Sequence, residues 1–235
     1  MKGSDKAVEF FRGKLRFFQH RKHKISVDLV LFIASLGGVR RSSKVVDIGA
    51  GFGFLSLTLA KKYGCRVTAL ERDKEMLELL VKNIELNGLE GFVDVVECDI
   101  RKVDECLGGG KYDLAMVNPP FFKDEGGEGI HREGDTELAD FIRAGAFLLK
   151  DGGRLSTMIP SFRLMEAAKA GGKHNLHPRL LTALFPKIDR PSRICFLTFV
   201  KNVNGPLHFN KPLIVNNPDG SYTQEVSTVL EGFLS

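Results

Sequence analysis

The chain has 235 residues, 43% of them hydrophobic and 27% charged, with a net charge of +5. That composition can bury a sizeable core, and the length fits one large α/β domain with small additions. No apolar run approaches the roughly 20 residues that span a bilayer, and the N-terminus lacks the apolar stretch and cleavage site of a secretion signal, so a cytoplasmic protein is expected.

In chain order, residues 1–24 come first. They hold Lys2, Lys6, Arg12, Lys14, Arg16, Arg21, Lys22 and Lys24 against only Asp5 and Glu9. The rest of the chain is therefore slightly acidic, and the positive charge is concentrated in this arm. Such an arm suits a polyanionic partner. Its Phe10, Phe11, Phe17 and Phe18 can either stack on bases or dock onto the body. "SVDLVLFIASLGG" then has helical spacing and ends at a glycine pair. "KVVDIGAGFG" predicts a short β-branched strand running into glycines, and "FLSLTLAKKYG" predicts an amphipathic helix. "CRVTALE" is the second strand of the series. "DKEMLELLVKNIELNGL" is a helix with Asp73 as N-cap and Gly88 beyond its end.

"FVDVVECD" and "YDLAMVN" predict the third and fourth strands. The polar, glycine-rich "FKDEGGEGIHRE" reads as a long mobile loop. A helix over "TELADFIRAGAFLLKDGG", a strand over "RLSTMIP" and a helix over "SFRLMEAAKAGG", capped by Ser161, follow. "RLLTALFPK" and "RICFLTFVKN" have no helix between them and predict an antiparallel pair. Strands alternating with helices imply a parallel sheet covered on both faces. The expected organisation is a basic arm over 1–24, a main domain over 25–204 and a small appendage over 205–235 packed on it. Cys65, Cys98, Cys106 and Cys195 form no CxxC pair and no zinc-spaced cluster. They are expected to be reduced, mostly as small core residues, and no metal is expected.

Chemistry concentrates at the strand ends. Asp47, Gly49, Gly51 and Gly53 form D-x-G-x-G-x-G where the first strand of the series stops. Glycines let the backbone turn tightly and approach a ligand. Ligands of open α/β sheets sit beyond the carboxyl ends of the strands. The next helix start favours a carboxylate there. The spacing departs from the G-x-G-x-x-G of dinucleotide folds. Glu71 ends the second strand, where a carboxylate can accept from both ribose hydroxyls, and Asp99 ends the third, placed for an adenine amine. Three acids at successive strand ends form one edge of a nucleoside pocket.

"VVDIGAGFGFLSLTLA", "ALERD" and "ECDI" resemble the first three motifs of the class I S-adenosylmethionine-dependent methyltransferases. The resemblance implies a three-layer Rossmann-like α/β fold, with a seven-stranded, mostly parallel sheet and an antiparallel edge strand. It also brings Arg72 and Ile100, which belong to the second and third motifs, into the cofactor set. Asn118-Pro119-Pro120-Phe121 ends the fourth strand and resembles the N/D-P-P-aromatic signature of enzymes that methylate amines conjugated to planar systems. Such an amine is a poor nucleophile, because its lone pair is delocalised. Acceptors that hold both N–H groups let the nitrogen pyramidalise. The Asn118 side-chain oxygen and the Pro119 carbonyl can be those acceptors, with Pro119 and Pro120 fixing the backbone. Phe121 offers a flat face for the base. It stands where tyrosine is commonest, so it carries no acid or base role.

The amine acceptors open to this signature are adenine N6, guanine N2, cytosine N4 and glutamine N5. "FFQHRKHKISVDLVLFIAS", "GIHREGDTELADFIRAGAFLLKDGGRL" and "KPLIVNNPDGSYTQEV" resemble segments of bacterial tRNA (adenine-N6)-methyltransferases that act beside the anticodon of valine tRNA. That resemblance implies an enzyme using S-adenosylmethionine on RNA, with Gln19 and Asp28 closing the cofactor pocket. It makes Lys123, His131 and Arg132 candidate RNA contacts in the loop. Lys14, Arg16, Arg21 and Lys22 of the arm are further candidates from their charge. A monomer is expected. The rivals are a guanine-N2 RNA methyltransferase, a glutamine-N5 protein methyltransferase and an RNA-binding protein of the same fold without catalysis.

Overall fold

The computed structural model describes residues 6–20, 24–120, 122–123, 132–133 and 136–234. The chain begins with β1 (Val8–Phe10), β2 (Leu15–Phe17), α1 (Val27–Ser35), β3 (Lys44–Ile48), α2 (Phe54–Tyr63) and β4 (Arg66–Glu71). It continues through α3 (Lys74–Asn87), β5 (Val93–Glu97), α4 (Val103–Cys106), β6 (Tyr112–Val117), β7 (Phe122–Lys123) and β8 (Arg132–Glu133). The remainder is α5 (Leu138–Leu148), β9 (Leu149–Pro160), α6 (Leu164–Gly172), β10 (Leu176–Phe185) and β11 (Ile194–Lys201), then β12 (His208–Phe209), β13 (Leu213–Ile214) and α7 (Gln224–Gly232).

The main sheet runs β12-β10-β11-β9-β6-β3-β4-β5, with β13 also paired to β10. From β9 to β5 every neighbouring pair is parallel, while β11 is antiparallel to both β9 and β10. The fold is therefore the mostly parallel three-layer sheet that the alternating pattern implies. The reversed strand, β11, sits inside β10 rather than on the edge. The crossover through α6 lays β10 down one position away from β9, and the tight return fills the gap with β11. Two short strands extend the sheet beyond the seven expected.

Each face carries one apolar layer. The first gathers α1, α2, α3 and α7, and the second gathers α4, α5 and α6. Strand β3 feeds both, Val45 to the first and Val46 and Ile48 to the second, as the period-2 alternation of a strand requires. The helix ends follow local chemistry. Asp73 caps α3 through its side chain, which accepts from the Met76 N–H at 3.0 Å. Gly88 closes that helix in the left-handed conformation. Ser161 is not the cap of α6. It opens a 3-10 turn over Ser161–Arg163, and its hydroxyl pairs with that of Ser192 at 2.9 Å.

The described residues of the basic arm include an antiparallel hairpin of β1 and β2. Leu15 and Phe17 are fully buried, each worth roughly 1.5–3 kcal/mol of apolar burial. Phe17 packs on Phe54 with ring centroids 5.2 Å apart, and Phe11 on Phe233 at 5.8 Å. Of the two uses open to these aromatics, Phe11 and Phe17 have docked onto the body. The hairpin also meets the C-terminal end of the chain, where Arg12 pairs with Glu231 at 2.9 Å. A second departure concerns the cysteines. Cys98 and Cys106 form a disulfide, with Cα atoms 6.1 Å apart. The turn after β5 and the short α4 fold back far enough to bring them together. Cys65 and Cys195 are free and buried, and burial pushes both thiols up to about 11.

Among the described residues, no helix is long and apolar enough to cross a membrane. No group of three or more His, Cys, Asp or Glu is placed to hold a metal ion among them either.

Candidate functional site

The carboxyl ends of β3, β4, β5 and β6 open onto one cavity of about 340 Å³. Strands β3 and β6 are adjacent although far apart in sequence, so the cavity lies where the strand order changes direction.

The floor comes from the glycine loop after β3. Gly53 has φ +93°, and a Cβ there would stand 2.3 Å from Leu80 Cδ1. A Cβ on Gly49, at φ +76°, would stand 3.0 Å from the Phe141 ring. Both positions need glycine for backbone conformation and for space. Helix α2 follows Gly53, which offers no side-chain cap, and its first turn faces the cavity through Phe54 and Leu55. Asp47 lies beneath the loop, 1% exposed, and accepts from the Ser56 hydroxyl at 2.6 Å. Burial pushes its carboxyl up from 3.8 to about 7, against the lowering effect of Ser56.

Glu71 is oriented by the backbone around it. One carboxylate oxygen accepts from the Gly51 N–H at 2.8 Å. The other accepts from Arg72 and Asp73 N–H groups at 2.8 and 2.9 Å. Strand β4 thus supplies a carboxylate already held in one orientation, with lone-pair capacity left for a ligand. Asp99 is differently employed. Its carboxylate is gripped by the Arg101 guanidinium and main-chain N–H, and that pairing lowers it to about 2. Its neighbours Cys98 and Ile100 line the cavity.

Asn118 follows β6. Its side-chain oxygen is buried and has no hydrogen-bond partner among the described residues. Pro119 and Pro120 line the same wall. The Pro120 carbonyl accepts from the Arg163 guanidinium at 3.3 Å. Arg163 is only 3% exposed and is fixed by a two-point grip on Glu166, at 2.9 and 2.7 Å. Thr136, ahead of α5, also lines the cavity with a buried hydroxyl that has no hydrogen-bond partner among the described residues.

The structure therefore brings together Asp47, Gly49, Gly51, Glu71, Arg72, Ile100, Asn118, Pro119 and Pro120 around one cavity. Gly53 shapes it as the start of α2. Gln19 and Asp28 do not line it. Gln19 accepts from the Ile25 N–H at 3.2 Å, and the segment between them contributes Lys24 while Leu29 follows. Burial raises the Asp28 carboxyl. In the arm, Lys14 donates to the Leu234 carbonyl. The Arg16 main chain exchanges hydrogen bonds with Asn87 at 2.9 and 2.7 Å, and both side chains stand outside the cavity. Phe121, Arg21, Lys22 and His131 lie outside the described residues, as do the side chains of Lys123 and Arg132 in β7 and β8.

Arg163, Thr136 and Phe141 were not legible as site residues. Thr136 and Phe141 line the cavity and Arg163 supports its wall through Pro120, and none of the three belongs to a spaced motif.

The methyltransferase small domain family matches residues 22–171. A tRNA1(Val) (adenine(37)-N6)-methyltransferase of Christiangramia forsetii is 27% identical over 184 residues, covering 75% of this chain and 77% of the relative. The protein of the same name from Haemophilus influenzae (strain PittGG) is 25% identical over 222 residues, covering 89% and 90%. Among solved structures, a chain from Agrobacterium tumefaciens described as a predicted O-methyltransferase superposes with a TM-score of 0.72 at 24% identity, covering 86% of this chain and 95% of that one. TYW2 of P. horikoshii, solved with MeSAdo, superposes with a TM-score of 0.61 at 18% identity, covering 85% and 73%. These superpositions are likenesses of fold.

Proposed function

Because the chain belongs to the methyltransferase small domain family, we propose that it transfers a methyl group from S-adenosylmethionine to the N6 amine of an adenine in RNA, in a tRNA next to the anticodon. The observation that carries this reading is the buried, unpartnered Asn118 oxygen in the same cavity as the glycine loop. An orphaned buried acceptor costs about 1–3 kcal/mol. A conjugated amine supplies the missing donor. The curated relatives, named for adenine(37) of a valine tRNA, support adenine over guanine N2 and glutamine N5.

The residues fit the cofactor's parts. Glu71 presents an oriented carboxylate for the ribose hydroxyls, and the Gly51 loop lets the ligand approach the backbone. The start of α2, where Gly53 supplies no side-chain acceptor, suits the methionyl carboxylate. Arg72 and Ile100 flank the nucleoside. When bound, the cofactor supplies an electrophilic methyl on sulfur. On the acceptor side, the Asn118 oxygen takes one N–H of the amine and the Pro119 carbonyl the other. Arg163 steadies this wall by holding the Pro120 carbonyl. Phe121 stacks on the base. The catalytic contribution is orientation and hydrogen bonding. The target adenine leaves its stack to reach Asn118. The candidate RNA contacts remain Lys14, Arg16, Arg21, Lys22, Lys123, His131 and Arg132, around a methyltransferase domain of residues 25–204 on which the arm and the 205–235 appendage pack.

The test is methyl transfer from labelled S-adenosylmethionine into a total tRNA pool, followed by nucleoside mass spectrometry. Label in N6-methyladenosine is expected; label confined to N2-methylguanosine overturns the adenine reading. Asn118→Ala should keep cofactor affinity within a few-fold and lower turnover by about a hundredfold or more. Full turnover in that variant removes the amine-holding role.

A further inference from the structure

A second concavity, of about 680 Å³, lies at the opposite end of the sheet. Its lining comes from the amino ends of β3 and β6 and from the first residues of β9. Asp113 in this cleft and Asn118 at the first cavity bracket one strand. At about 3.3 Å per residue they stand roughly 17 Å apart.

The charges in the cleft are unequal. Arg40, Lys44, Lys111, Lys150 and Arg154 line it against the single carboxylate of Asp113. That carboxylate is already committed. It accepts from the Lys44 N–H at 2.7 Å and pairs with the Lys150 ammonium at 2.5 Å. Arg154 is the informative residue. Burial lowers its pKa, and Asp113 acts on it only through space. Its guanidinium packs beside Gly38, and it makes no hydrogen bond or ion pair to any described residue. A half-buried guanidinium has given up hydration, and its planar fork of donors matches the oxygens of a phosphate. The surrounding lysines supply point charges for further phosphate oxygens. Four cations remain uncompensated, more than a lone carboxylate ligand would neutralise.

We propose that this cleft binds a phosphate-bearing ligand of at least two phosphate groups, with Arg154 as the bidentate contact and Lys111 and Lys150 as flanking charges. The site is separate from the methyl-transfer cavity and does not depend on the reaction proposed there. Adjacent phosphates of an RNA backbone and the polyphosphate of a small molecule share this chemistry. The two sources differ in reach. An RNA whose base sits at Asn118 must wrap round the sheet to arrive here, whereas a small polyphosphate need not.

The experiment is calorimetric titration of the full chain with pyrophosphate at low salt. Saturable binding at millimolar ligand or below is expected. The double variant Lys111→Ala/Lys150→Ala changes side chains at the rim and should weaken binding about tenfold or more, and Arg154→Lys should weaken it comparably. Asp113→Asn removes the only anion and should tighten binding by roughly threefold, the effect of one charge a few ångströms away in a water-like dielectric. A gain of affinity separates the proposal from mere loss of fold. No saturable binding, or equal affinity in all four proteins, overturns it. Displacement of pyrophosphate by a single-stranded RNA oligonucleotide assigns the site to RNA phosphates; retention with RNA bound assigns it to a separate phosphorylated molecule.

Discussion

Replacing Asp47 by Asn should stabilise the ligand-free protein at neutral pH and change little near pH 4. The wild-type carboxyl is 1% exposed, with one side-chain hydrogen bond, from the Ser56 hydroxyl at 2.6 Å. Burial outweighs that bond and lifts its pKa from 3.8 to about 7. The folded state therefore keeps a proton that the unfolded chain has already released. For a pKa raised on folding, the stability contribution is fully present below about 3.8 and is lost as the pH rises through about 7. Roughly three pKa units at about 1.36 kcal/mol each give a loss of about 4 kcal/mol across that window. Asn has the same shape, can accept from Ser56 and does not ionise. Urea unfolding of both proteins at pH steps from about 4 to 8 measures the effect. The stability difference should rise from near zero to a few kcal/mol in favour of the variant. A difference that stays flat across the window refutes the reasoning, whatever its absolute value. Comparing the two proteins at each pH cancels the titrating groups that do not interact with Asp47. The cost of that charge is what a carboxylate under a ligand loop entails, and the variant should bind S-adenosylmethionine more weakly as it gains stability.

Three further substitutions probe the supports of the site. Gly53→Ala puts a Cβ 2.3 Å from Leu80 Cδ1 at φ +93°, and should cost about 2–4 kcal/mol in urea unfolding; a cost under about half a kcal/mol would mean that the loop yields easily. Asn83→Leu removes a buried amide that donates to the Phe18 and Phe52 carbonyls at 3.0 and 2.9 Å and accepts from the Phe18 N–H at 2.8 Å. It should destabilise by about 2–4 kcal/mol and expose the hairpin to limited proteolysis. An unchanged cleavage pattern counts against the clamp. Arg163→Lys keeps the charge but loses the grip on Glu166 and Pro120. Turnover should fall about tenfold with cofactor affinity unchanged, since misplacement acts on the transition state. A parallel loss of cofactor affinity would show general damage instead.

The parts of the site carried by one contiguous stretch were legible in the sequence. The glycine loop, the acid at the end of β4 and the Asn-Pro-Pro exit of β6 each combine a strand signal with a residue type that the chemistry needs. Adjacent parallel strands bring them to one edge because the period-2 pattern fixes the sheet. What was not legible depends on distance in sequence. Arg163 stands 43 positions from the carbonyl it holds. Asn83 ties a hairpin 65 residues away to a loop 31 residues away, and nothing about an asparagine inside an amphipathic helix announces that role. The arm is a related case. Its charge was conspicuous, while the alternation of Leu15 and Phe17 was too short to read as a strand. Burial of those two side chains decides the matter, since a segment that inserts fully buried apolar groups cannot be removed to test its charges without opening the core. Any contribution of the arm to RNA binding has to be measured by neutralising exposed cations such as Arg16 singly, each expected to lower the salt slope by about one.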